Sequence, residues 1–116
     1  MILGLDHIAI ICSSERSIDF YKHLGFTEID RENRGHDILV FLKGYGIVLE
    51  MFVDPTHPPR VNCPEAMGLR HLALRVDDVQ STLDEFEIDA EPIRERDEKH
   101  FTFFKDPDGL PIELHE

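Results

Sequence analysis

Apolar and polar positions alternate along this chain in two rhythms, and the pair of rhythms occurs twice. Leu5–Ile11, LDHIAII, is a short apolar run that predicts a buried strand. Alternation puts His7, Ala9 and Ile11 on one face and Ile8 and Ile10 on the other. Ser13–Ser17 supplies cap residues; Ile18, Tyr21 and Leu24 then recur at helical spacing, Phe20 widens the stripe, and Gly25 stops the helix. Phe26–Ile29 starts a strand that runs into a charged stretch, Asp30–Asp37, read as a turn or an exposed edge. Ile38–Leu42 and Ile47–Phe52 read as strands around a Lys43-Gly44-Tyr45-Gly46 hairpin. The first half is β-α-β-β-β.

Asp54–Pro64 holds four of the seven prolines and is too proline-rich for regular structure, so it reads as a connector or a loop over a pocket. Gly68–Leu74 opens a further strand, Asp77-Asp78 caps a short helix over Val79–Phe86, and Ile93 with its neighbours forms a strand. The chain ends in a hairpin, Phe101–Phe104 and Leu110–Leu114 around a type I turn at Asp106-Pro107-Asp108-Gly109. Its last strand puts Ile112 and Leu114 on one face and Pro111, Glu113 and His115 on the other. The second half is β-α-β-β-β again.

Residue identities support a duplication. Leu5-x-His7-Ile8-Ala9-Ile10 matches Leu69-x-His71-Leu72-Ala73-Leu74, and Phe41…Gly46-Ile47-x-Leu49-Glu50 matches Phe104…Gly109-Leu110-x-Ile112-Glu113. The expected fold is therefore α+β: two βαβββ modules, residues 1–53 and 68–116, joined by a connector at 54–67 in a single domain.

Composition narrows the function. A net charge of −12 over 116 residues repels a phosphate backbone and an anionic membrane surface, which excludes nucleic acid and membrane as partners. The two cysteines, Cys12 and Cys63, sit in no metal or redox spacing, and Cys12 reads as a small buried hydrophobe. The start MILGLDH lacks the basic region and long apolar core of a signal peptide, and no apolar run is long enough to span a bilayer, so a cytoplasmic protein is expected.

The chemistry lies in four residues. Each half gives one His on its first strand and one Glu on its last: His7 and Glu50, His71 and Glu113. Glu50 is the odder carboxylate, because Val48, Glu50 and Phe52 share a face and an unpaired carboxylate in an apolar row costs several kcal/mol. An ion pair with Arg70 or Arg75 would satisfy it, and so would a metal. If the halves pack about a pseudo-twofold, two imidazoles and two carboxylates converge as an N₂O₂ set for one divalent ion. Such a set favours Zn, Ni, Mn, Co or Fe(II) over Mg or Ca.

Five segments, LDHIAI, SIDFYKHLGF, GIVLEMF, GLRHLALRVDD and FFKDPDGLPIELHE, resemble the vicinal-oxygen-chelate superfamily of glyoxalase I, methylmalonyl-CoA epimerase, fosfomycin-resistance enzymes and extradiol dioxygenases. PEAMGLRHLAL with FTFFKDPDGLPIELHE is similar to its narrower YaeR-like group. The resemblance implies a cupped mixed sheet around a metal site, helices outside, commonly in a homodimer. It puts the glyoxalase I-like ligands on His7, Glu50, His71 and Glu113, with Zn or Ni the first expectation for the ion. Glyoxalase I has Glu at the position of Glu50, where epimerases usually carry Gln. The implied activity is that of a metal-dependent lyase or isomerase. It removes a proton next to a carbonyl of a chelated α-hydroxycarbonyl, such as a thiol adduct of an α-oxoaldehyde. Glu113 would be the base and Glu50 its near-symmetric counterpart; the residues that hold the rest of the substrate are not legible. The alternatives are an epimerase, a fosfomycin-type thiol transferase, or a metal-free binding protein like the bleomycin-resistance relatives.

Overall fold

Helix α1, Glu15–His23, starts where Ser14 leaves the helical region and accepts a hydrogen bond from the Arg16 N–H at 3.3 Å. A cap of this kind contributes about 1 kcal/mol. Glu15 in the first turn and Lys22 and His23 in the last complement the helix dipole. The end is a Schellman motif: the Gly25 N–H donates to the Lys22 carbonyl at 3.0 Å and the Phe26 N–H to the Tyr21 carbonyl at 3.1 Å. Gly25 has φ +106°, and a Cβ there would fall 2.2 Å from the Tyr45 hydroxyl, which donates to the Leu24 carbonyl. Glycine is required twice over at this position.

The computed structural model describes residues 1–116 and divides into two units, Met1–Pro58 and Pro59–Glu116. The first unit runs β1 Ile8–Cys12, α1, β2 Thr27–Asn33, β3 Ile38–Gly44 and β4 Ile47–Val53. Its sheet has the order β1-β4-β3-β2, with β1 parallel to β4 and the other pairs antiparallel. Tyr45 and Gly46, φ 54° and 79°, make the two-residue turn between β3 and β4 that matches strand twist. The face of the sheet that carries Val40, Leu42, Leu49 and Met51, all at 0 % exposure, is the core side, and α1 brings Ile18 and Tyr21 to that core. Fully burying side chains of this size stabilises by about 1.5–3 kcal/mol each.

The second unit repeats the plan with β5 Leu72–Arg75, α2 Val79–Phe86, β6 Arg94–Arg96, β7 Lys99–Lys105 and β8 Pro111–His115. The sheet order is β5-β8-β7-β6, again with one parallel pair, β5 with β8. Asp78 caps α2 by accepting from the Ser81 N–H at 2.8 Å. Val79, Leu83, Phe104, Ile112 and Leu114 form the core.

Most expected elements are found, with shifts that have physical reasons. The charged stretch after Phe26 is strand as far as Asn33, because β2 is the sheet edge and one solvated face tolerates TEIDREN; only 34–37 turn. The first strand of each half is shorter than its apolar run, so His7 and His71 stand one residue before β1 and β5. Ile93 falls just outside β6, a three-residue edge strand. The terminal turn is more elaborate than a plain type I turn: Asp106 Oδ1 accepts from the Asp108 and Leu110 N–H groups, both at 2.9 Å, and Gly109 takes φ +89°. Cys12 is buried, as its apolar strand requires.

Candidate metal centre

Strand register fixes the site in each unit. Glu50 on β4 stands between Ala9 on β1 and Phe41 on β3, and Glu113 on β8 stands between Ala73 on β5 and Phe103 on β7. The two settings are the same Ala–Glu–Phe row across three strands. In each, a histidine two residues before the alanine reaches the glutamate. His7 Nε2 is 2.7 Å from Glu50 Oε2, and His71 Nε2 is 3.0 Å from Glu113 Oε2. Glu50 meets no arginine in a salt bridge, and Arg70 is instead bound to Glu65 through two contacts at 3.0 Å.

The glutamate side chains are 16 % and 13 % exposed, and each stands within ion-pair distance of one imidazole. A carboxylate so placed needs positive charge, which comes either from a proton held between oxygen and nitrogen or from a cation that replaces it. Imidazole nitrogen with carboxylate oxygen is a donor set suited to Zn, Ni, Mn, Co or Fe(II). The residues fit such an ion. The four predicted ligands stand as two pairs, one in each unit, and no three His, Cys, Asp or Glu side chains of the chain are grouped as a metal set.

The pairs differ behind the histidine. Asp6 Oδ1 lies 2.8 Å from His7 Nδ1, a contact that orients the ring so that Nε2 faces Glu50. That hydrogen bond, aided by the charges of Glu50 and Asp6, holds the His7 pKa above the ordinary value. At the repeat-equivalent position the second unit has Arg70, whose Nη1 is 3.4 Å from His71 Nδ1. Phe103 meets His71 edge-on, with ring centroids 5.1 Å apart. Beside this pair the second unit holds a cavity of about 620 Å³ whose walls include Arg70, Asp89, Arg94, Phe103 and Lys105.

Sequence reasoning missed Asp6 and Phe103. It matched Phe41 with Phe104, whereas the register makes Phe103 the counterpart: the longer turn around Asp106 adds a residue, and Phe104 faces the core. The other histidines lie elsewhere. His115 stacks on Phe101 at 5.9 Å and bonds the Glu116 carbonyl; His100 bonds the Glu116 carboxylate; His36 and His57 neighbour Asp37 and Asp54. His23 is exposed on the last turn of α1.

Residues 4–114 match the Glyoxalase/Bleomycin resistance protein/Dioxygenase superfamily. The chain is 44 % identical to YwkD of Bacillus subtilis, over all of this chain and 98 % of that one. It is 43 % identical to YaeR of Escherichia coli, over 95 % of this chain and 93 % of that one. The crystal structure of a glyoxalase family protein from Enterococcus faecalis superposes with a TM-score of 0.87 at 39 % identity, covering 97 % of each chain. At lower identity the fold recurs in lactoylglutathione lyase of Agrobacterium tumefaciens (20 %, TM-score 0.68; 97 % and 92 % covered) and in FosX of Listeria monocytogenes complexed with Mn(II) (18 %, TM-score 0.72; 99 % and 93 % covered). A duplicated β-α-β-β-β plan, a histidine and a glutamate at matching register in each copy, and likeness along nearly the whole chain lead to one assignment: the chain belongs to the glyoxalase/bleomycin resistance protein/dioxygenase superfamily.

Proposed function

We propose that this protein is a metal-dependent lyase or isomerase of the glyoxalase type, acting next to the carbonyl of a small α-hydroxycarbonyl compound. The observation that carries this reading is the repeated His–Glu contact, 2.7 Å in one unit and 3.0 Å in the other, on the same strand register. His7, Glu50, His71 and Glu113 are the proposed ligands of one divalent ion, with first-unit and second-unit pairs contributed by one chain or by two copies. The bound ion supplies Lewis acidity toward the two vicinal oxygens of the substrate. Glu113 is the proposed base, taking the proton from the carbon beside the carbonyl, with Glu50 its near-symmetric counterpart. Phe103 packs edge-on against His71 and stands beside Glu113 across the strands, walling the second pair. Asp6, in contact with His7 Nδ1, orients the ring so that Nε2 is the nitrogen presented to the ion.

The test is elemental analysis of protein purified without added metal, followed by assay with methylglyoxal and a thiol. Glu113→Gln should keep its metal and lose activity by a factor of about 10²–10⁴, the usual contribution of a positioned base. Full activity in that variant removes the assignment. Manganese-dependent consumption of fosfomycin, with no turnover of the oxoaldehyde adduct, moves the protein to the chemistry for which the distant FosX is named.

A further inference from the structure

The turn between β2 and β3 builds a cation onto the sheet face that carries Glu50. Arg34 Nε donates to Asp37 Oδ1 at 2.7 Å and Nη2 to Oδ2 at 2.5 Å, and the Arg34 N–H closes the turn on the Asp37 carbonyl at 3.0 Å. The Asp37 carboxylate is only 6 % exposed, so the fork is held from the protein side. The guanidinium carbon lies 5.4 Å from the Phe52 ring centroid, a cation–π contact that fixes the plane. Phe52 is two residues beyond Glu50 on the same face of β4, and the hydrogen bonds to Asp37, far more than the charge of Glu50, raise the Arg34 pKa. The Nη1 edge has no partner in the protein, and the side chain is 34 % exposed. His36 Nε2, 3.6 Å from Asp37, adds a second basic group at the same turn.

A pair needed only to neutralise Asp37 requires no stacking and no open edge. A guanidinium with one edge bound, one plane seated and one edge free is pre-organised for a planar or tetrahedral anion, because little rotamer entropy remains to be lost. We propose that Arg34 anchors an acidic group of the substrate, a carboxylate or a phosphonate, whose oxygen-chelating end lies at Glu50. The inference rests on the metal reading above for the position of that chelating end. It makes the substrate class an acid-tailed hydroxycarbonyl compound, and Arg34 a specificity residue.

Two hydroxamates isolate the tail: acetohydroxamate, and succinate monohydroxamate, which carries the same chelating head with an added carboxylate. Calorimetry on metal-loaded protein should find the tailed probe about ten-fold tighter or more, as a bidentate guanidinium contact provides. Arg34→Met should erase that preference while metal content and acetohydroxamate affinity stay unchanged, and Arg34→Lys should restore only part of it. A preference that survives in Arg34→Met overturns the proposal. Methylphosphonate on metal-free protein separates this from failure of the metal reading and covers loss of fold in the variants. The Arg34 Nε–H proton, held by Asp37, should shift saturably in the NMR spectrum of the wild type. Absence of any shift, metal-free and metal-loaded, overturns the proposal whatever the ion does.

Discussion

Asp6 and Arg70 occupy equivalent positions before the two histidines, and this pair of residues breaks the symmetry of the duplication. A carboxylate at Nδ1 raises the basicity of the opposite nitrogen and fixes its direction; a guanidinium does neither. His7 is therefore the better prepared of the two proposed ligands. Asp6→Asn should weaken metal binding about 10- to 100-fold, the usual cost of losing such a partner, with no change in thermal stability. Competition against a chelator of known affinity measures it, and unchanged affinity means that Asp6 is a surface residue and no more. The two His–Glu pairs were legible in the chain because His and Glu recur at fixed offsets inside apolar strands. Phe103 was not, because Phe103 and Phe104 are adjacent and the face each takes depends on the length of the turn at Asp106.

Capping and periodicity decide the helices, and both helices were legible nearly to the residue. α2 still differs from α1 at its stop. Glu87 occupies the left-handed position, φ 54°, that Gly25 fills in the first unit, with the same bonds behind it: the Glu87 N–H to the Asp84 carbonyl at 3.3 Å and the Ile88 N–H to the Leu83 carbonyl at 2.9 Å. A side chain pays about 1 kcal/mol for that conformation. Glu87→Gly should raise stability by about 0.5–1 kcal/mol in urea unfolding, and a loss would show that the side chain holds something at that end. Edge strands were the least legible elements: β2 is mostly charged and β6 is Arg-Glu-Arg, and pairing rather than composition makes them strands. One electrostatic fastening joins three elements of the second unit. Glu116 accepts from the Val79 N–H at the start of α2 and from the His100 N–H and ring in β7. The Val79 N–H first, then His100, holds the Glu116 pKa below 4.5, and Glu116 holds the His100 pKa above 6.5. The stabilisation from His100 is whole below 6.5 and is lost as pH rises through its raised value. That from Glu116 is whole above 4.5 and is lost as pH falls through its lowered value. Glu116→Gln should therefore depress Tm most between about pH 5 and 6.5, with a smaller gap at pH 9. A gap independent of pH would leave only the backbone hydrogen bonds.

For the molecule as a whole, two His–Glu pairs can serve as one site or as two. A single imidazole and a single carboxylate hold a divalent ion weakly, since two donors leave most of its coordination to water; four donors hold it firmly. If the pairs of two units share one ion, the protein carries about one metal per chain, and losing either histidine empties the site. If each pair acts alone, removing His7 leaves the ion at His71 untouched. His7→Ala and His71→Ala should each release nearly all the metal, measured by elemental analysis after dialysis. Retention of half the wild-type content by either variant refutes a shared ion. Refolding the two variants together then tells where the pairs come from. A site built from two copies of the chain pairs an intact first unit from His71→Ala with an intact second unit from His7→Ala. Half of the mixed dimers' sites are then whole, and about a quarter of the metal returns, because about half of the dimers are mixed. A site built within one chain has no intact combination to offer, and the mixture stays empty.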